Sequence, residues 1–144
     1  MGSPTVVLVH GAWHGGWCWA NVEQHLADAG IATIALNLPG HDTPGSSKRI
    51  WNTVKSYVSH VGEVLDELDG EAVVVGHSMG GLVTQRVLET RRVAAAMLVA
   101  SVPPRGVAGT LARLARREPR QVAETLTLSP VSYTHLTLPT TPYV

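Results

Sequence analysis

The sequence predicts an α/β fold built on a parallel sheet, and three observations predict it. Short, strongly apolar runs at Thr5 to Val9, Ile31 to Leu38, Glu71 to Val75 and Ala94 to Ala100 alternate with longer segments whose apolar residues recur at helical spacing. The first and third runs end abruptly in glycine-rich turns, His10-Gly11-Ala12-Trp13-His14-Gly15-Gly16 and Gly76-His77-Ser78-Met79-Gly80. The order strand, helix, strand, helix reads as right-handed crossovers between neighbouring parallel strands.

Each element has its own reason. Thr5 to Val9 is an unbroken β-branched and leucine run, as expected of a strand buried on both faces. Asn21 to Ala29 places Val22, Leu26 and Ala29 at helical spacing, and Gly30 stops it. Ile31 to Leu38 is the next strand, closed by Pro39-Gly40-His41-Asp42 and a Thr-Pro-Gly-Ser-Ser loop. Ile50 to Leu68 carries Val54, Val58, Val61, Val64, Leu65 and Leu68 as the apolar stripe of a long amphipathic helix. Glu71 to Val75 returns as a strand, Leu82 to Glu89 is compatible with a helix, and Ala94 to Ala100 reads as a fourth strand. Val107 to Leu114 and Gln121 to Leu128 read as two helices separated by Glu118-Pro119.

The pattern Gly76-His77-Ser78-Met79-Gly80, between a β-branched run and a helix, has the form of a nucleophile elbow. Glycines on both flanks let strand and helix approach closely, and Ser78 then stands where the first unpaired N–H groups of the helix favour a developing negative charge. That is a site for acyl transfer. The loop after the first strand is the second motif, able to aim a backbone N–H at the same oxygen; the expected donors are Ala12 N–H and Met79 N–H. His10 is expected to be a structural histidine rather than a proton carrier, and Gly11 a backbone requirement of the turn. Trp13 and His77 are candidate substrate-binding residues. Trp13, Trp17 and Trp19 stand close together in a chain without phenylalanine, fitting either a pocket wall or core packing. His41 and Asp42 are not favoured as triad members, because turn residues have backbone reasons to be there.

Composition narrows the partners. The 144 residues are 44% hydrophobic and 15% charged, with formal net charge +0, so neither nucleic acid nor an anionic membrane surface is expected. Arg113, Arg116, Arg117 and Arg120 read as the wet face of a helix. Cys18 is the only cysteine, which fits a reducing compartment. The N-terminal apolar run is too short for a signal or a membrane span, so the expected location is the cytoplasm. No His/Cys/Asp cluster has metal-ligand spacing, so no metal and no cofactor are expected.

Taken together, Val6 to Trp17, Leu38-Pro39-Gly40-His41 and Val75 to Gly81 resemble the N-terminal half of an α/β-hydrolase, beginning at that family's third strand. The first stretch is especially similar to the branch of small esterases, plant-type methylesterases and hydroxynitrile lyases. The resemblance implies about four parallel strands with flanking helices and the start of a helical cap: a partial hydrolase core over 1–103, the cap or a crossover over 104–130, and a non-native tail over 131–144. It implies Ser78 as nucleophile, Ala12 and Met79 as oxyanion donors, and a small-molecule ester as partner. Serine rather than aspartate at the elbow disfavours the branches that attack through a carboxylate.

The chain departs from the family pattern after the elbow. In this fold the acid and the histidine follow the serine, yet beyond Ser78 there is no Asp, only Glu89, Glu118 and Glu124 as acids, and a single histidine, His135. From Thr125 to Val144 no residue is charged, and Val131 to Thr140 resembles the translation of a transposon-end adapter used in preparing sequencing libraries. The natural reading frame is therefore expected to end near Pro130, leaving the triad acid and base absent and this chain inactive. The alternatives are a hydroxynitrile lyase or cofactor-free oxidative enzyme on the same scaffold, or a non-catalytic small-molecule receptor. The sequence leaves the oligomeric state open.

Overall fold

The computed structural model describes residues 4–41, 53–68, 71–106 and 108–117. Asp42 and its loop, the helix expected over Gln121 to Leu128, Glu118, Glu124, His135 and the uncharged tail lie outside the described residues. Chain packing separates two units, 1–105 and 106–144. The described part of the first comprises β1 (Thr5–Val9), α1 (Ala20–Asp28), β2 (Thr33–Ala35), α2 (Val54–Asp66), β3 (Ala72–His77), α3 (Met79–Val87) and β4 (Ala95–Val99). A 3-10 turn, Gly16–Trp19, leads into α1. The second is represented by α4 (Ala108–Arg117), whose last turn carries Arg116 and Arg117.

The strands form one parallel sheet in the order β2-β1-β3-β4. From β1 the chain steps one way to β2, then back across β1 to β3 and onward to β4. With right-handed crossovers, α1 falls on one face of the sheet and α2 and α3 on the other. The buried cluster agrees, since Val7, Val9, Ala72 and Val74 meet Tyr57 and Val61 of α2 and Val83 and Val87 of α3. Leu8 points to the opposite face and is also buried. The C-terminal half of β1 is thus covered on both sides, as its unbroken apolar run predicts.

Two expectations are corrected in their extent. The second strand is three residues long, not Ile31 to Leu38. Leu36 N–H still donates to Leu8 C=O at 3.0 Å, but Leu38 N–H donates to Nε2 of His10 at 3.1 Å. A side chain has replaced the neighbouring strand as acceptor, and the ladder ends. Helix α1 buries none of its residues; it packs against β2, and a three-residue edge strand covers little of its apolar stripe. Helix α2 begins at Val54 because Thr53 caps it: Thr53 Oγ1 accepts Ser56 N–H at 3.3 Å, and Ser56 Oγ accepts Thr53 N–H at 3.1 Å.

At the far side of the sheet β4 buries no residue. Met97 is 59% exposed, Leu98 45% and Val99 39%. Among the described residues, the apolar fourth strand is an uncovered edge.

Candidate active site

One residue, Ser78, turns the chain between β3 and α3. It takes φ 53° and ψ −114°, a conformation that costs a non-glycine residue about 1–3 kcal/mol. Hydrogen bonds on both sides hold the turn. Ser78 N–H donates to Val99 C=O at 3.0 Å, and Ser78 C=O accepts from the N–H groups of Gly81 (3.0 Å), Leu82 (3.3 Å) and Val102 (3.0 Å). Close backbone approach explains the flanking glycines. A Cβ on Gly76 would lie 2.5 Å from the Gly80 carbonyl oxygen, and one on Gly80 would lie 2.5 Å from that of His10.

The loop after β1 packs directly on this turn. A Cβ on Gly11 would stand 3.2 Å from Ser78 Cβ and 3.1 Å from His77 Nδ1. Gly11 to His14 is a tight turn closed by His14 N–H to Gly11 C=O at 3.4 Å, with Trp13 at φ 61°. β1 and β3 are neighbours whose following helices lie on opposite faces, so the two loops meet at the topological switch point of the sheet, where open α/β sheets bind ligands. Strain collects along this edge. Trp13, Ser78 and Ala100, the non-glycine residues with positive φ among those described, each follow the C-terminal end of a strand.

Ala12 N–H and Met79 N–H have no protein acceptor among the described residues. Met79 opens α3, so its N–H is one of the helix's unpaired donors. The chain after β2 supports the opposite loop. Asn37 Oδ1 accepts Gly16 N–H at 2.7 Å. Buried His10 bridges Gly11 C=O and Leu38 N–H. Buried His41 reaches His14 C=O at 2.9 Å.

Sequence reasoning used His41 only within the Leu38 to His41 stretch and discounted it in a triad, and it missed Gln85. That side chain donates to Ser101 Oγ at 2.8 Å and Val102 C=O at 3.0 Å, tying α3 to the segment whose N–H holds Ser78 C=O. Nothing local distinguishes Gln85 from any polar helix residue, so its role is visible only in the fold.

The other candidates are placed as follows. His77 lies beside the turn, its ring centroid 6.4 Å from that of His14 and 6.5 Å from that of Trp19. Trp17 meets His14 at 5.6 Å. Trp13 is 54% exposed. Glu89 follows the C-terminal end of α3, paired with Arg86 at 2.8 Å on the surface, with the nine residues of α3, about 13 Å of helix, between it and Ser78. Cys18 is half-buried, and burial pushes its thiol pKa up. No group of three or more potential metal ligands occurs among the described residues, and no described helix is long and apolar enough to cross a membrane. A cavity of about 270 Å³ opens at the other end of the sheet, lined by Leu65, Glu71, Arg92 and Val93. Position at the strand C-termini, rather than volume, decides where the candidate site lies.

Fold and site together define an α/β protein with a strand–serine–helix elbow at the switch point of its sheet. The sequence model described as "Alpha/beta hydrolase family" matches residues 6–142, and the chain belongs to that family. The match runs into the stretch whose composition differs from the rest. Methylesterase 7 of Arabidopsis thaliana is 35% identical over 103 residues, covering 68% of this chain and 40% of the relative. A carbendazim hydrolyzing esterase of Nocardioides sp. (strain SG-4G) is 36% identical over 88 residues, covering 58% and 35%. The crystal structure of a pyrethroid hydrolase from Sphingobium faniae JZ-2 aligns with a TM-score of 0.62 at 27% identity, over 70% of this chain and 41% of that one. The chain thus spans about two fifths of the length of these relatives.

Proposed function

We propose that this chain carries the nucleophile and oxyanion half of a serine esterase acting on a small carboxylic ester. The observation that carries the reading is the packing of Gly11 against Ser78, which brings two loops with open N–H groups to one serine. Relatives named as a methylesterase, a carbendazim hydrolyzing esterase and a pyrethroid hydrolase support the substrate class.

In this mechanism Ser78 Oγ attacks the ester carbonyl carbon while a base takes its proton. The carbonyl π pair moves to oxygen, and the resulting anion receives the N–H groups of Ala12 and Met79. The C–O bond to the alcohol then breaks and the alkoxide leaves protonated. Water hydrolyses acyl-Ser78 by the same route. Trp13 and His77 border the substrate.

The described residues contribute the electrostatic half of this scheme. Glu89, held by Arg86 at the far end of α3, cannot serve as the triad acid, and no histidine follows Ser78 among them. Loss of the histidine from such a triad costs about 10⁶ in kcat, so the described residues by themselves supply only the oxyanion and binding contributions, about 10³–10⁴ over water.

A boronic acid tests the site without needing turnover. Phenylboronic acid is expected to give a tetrahedral ¹¹B resonance that Ser78→Ala removes; no such resonance in the unsubstituted chain would overturn the reading. Ester turnover at the rate of a full-length relative, abolished by Ser78→Ala, would overturn the inactivity of the chain.

A further inference from the structure

A trans peptide holds its C=O and N–H in one plane, pointing in opposite directions. Gly11 C=O and Ala12 N–H share such a plane, and no described peptide is cis. Whatever holds the Gly11 oxygen therefore aims the Ala12 hydrogen. The Nδ1 of His10 lies 2.7 Å from that oxygen, and its Nε2 lies 3.1 Å from Leu38 N. A carbonyl only accepts and an N–H only donates, so the partners assign the hydrogen to Nδ1 and the lone pair to Nε2. Two backbone groups thus fix His10 as one neutral tautomer in a fully buried position.

The other arm of the turn is held in the same manner. His41 Nδ1 donates to His14 C=O at 2.9 Å, and His41 Nε2 lies 3.2 Å from the Tyr57 hydroxyl of α2. The His10 and His41 rings lie 4.9 Å apart. A buried histidine pair, anchored on Leu38 and on a core residue of α2, grips the carbonyls at both ends of the Gly11–His14 turn. Ala12 lies between them.

We propose that His10 and His41 are positioning residues of the oxyanion site: His10 aims Ala12 N–H through the Gly11–Ala12 peptide plane, and His41 fixes the far arm of the same turn. The inference rests on the serine esterase reading. Neither histidine touches the reacting atoms, and both act through backbone groups.

Asparagine and glutamine variants of the full chain separate this role from simple core filling. His10→Asn places an amide N–H near Nδ1 and retains the Gly11 bond. His10→Gln reaches toward Leu38 and loses it. Two quantities are read: the ¹H–¹⁵N resonance of Ala12 in the unliganded chain, and the affinity of phenylboronic acid for Ser78. His10→Asn is expected to leave the Ala12 resonance in place and the affinity within about twofold, while His10→Gln moves the resonance and weakens the adduct about tenfold or more, the worth of one hydrogen bond to a charged group. His41→Asn and His41→Gln give the same ordering.

Equal behaviour of the Asn and Gln variants at position 10, whether both unchanged or both impaired, overturns the positioning role while an intact Ser78-dependent adduct leaves the esterase reading standing. Absence of that adduct from the unsubstituted chain, with the Ala12 resonance still following residue 10, overturns the esterase reading and with it the catalytic purpose of the pair.

Discussion

The exposed edge at β4 sets how this chain behaves in solution. Met97, Leu98 and Val99 keep 59%, 45% and 39% of their surface in water, beside a row of backbone groups with no further strand among the described residues. Fully burying one such side chain contributes about 1.5–3 kcal/mol. Scaled by these exposures, covering all three yields about 2–4 kcal/mol, before any backbone pairing is counted. Alternation along the strand puts Met97 and Leu98 on opposite faces, and no charged residue within β4 blunts the edge. The chain is therefore expected to self-associate, and the double substitution Met97→Lys/Leu98→Lys to weaken association by about tenfold to a hundredfold. Sedimentation velocity across a concentration series reads this directly. An unsubstituted chain that stays monomeric and melts cooperatively refutes the reasoning, as does a lysine variant that sediments like the parent.

Two further predictions are read by unfolding in that lysine background. Gly80→Ala puts a methyl group against the carbonyl oxygens of Val9 and His10; overpacking costs about 1–3 kcal/mol, and the helix preference of alanine returns at most about 1 kcal/mol. A net loss of stability is expected in urea, whereas Gly109→Ala, with no atom within 4 Å of the new Cβ, shows no loss. Arg91 donates to both carboxylate oxygens of Asp66, at 2.9 and 2.7 Å, and holds the Asp66 carboxyl below the usual carboxylate range. A lowered folded pKa contributes stability that is present above the unfolded value, about 3.9, and is lost as pH falls through the folded one. The melting temperature of the Asp66→Asn variant is thus expected to lie below the parent's at neutral pH, the gap closing below about pH 4; a gap independent of pH contradicts the pairing.

Much of the fold was legible because its signals are local. The apolar runs that became β1, β3 and β4 are strands in one parallel sheet, and the Gly-x-Ser-x-Gly stretch adopts the positive φ at Ser78 that a strand-to-helix elbow requires. What was not legible depends on partners distant in sequence. Ile31 to Leu38 has strand composition throughout, but His10, from another segment, takes Leu38 N–H and ends the pairing. Val22 and Leu26 have core spacing, yet among the described residues α1 packs against a short edge strand and the 3-10 turn before it and buries no residue. His41 looks like an ordinary turn residue until Tyr57 and His14 C=O are placed beside it. In each case a long-range hydrogen bond or the extent of a neighbouring element decides the outcome.

The central claim is that Ala12 N–H and Met79 N–H converge on one oxygen held by Ser78. Its most direct test is the movement of those two amide proton resonances as phenylboronic acid is titrated into the ¹⁵N-labelled chain. The account predicts that both move downfield together as the tetrahedral adduct forms, and that neither moves in Ser78→Ala. An adduct that forms while either amide stays in place would contradict it.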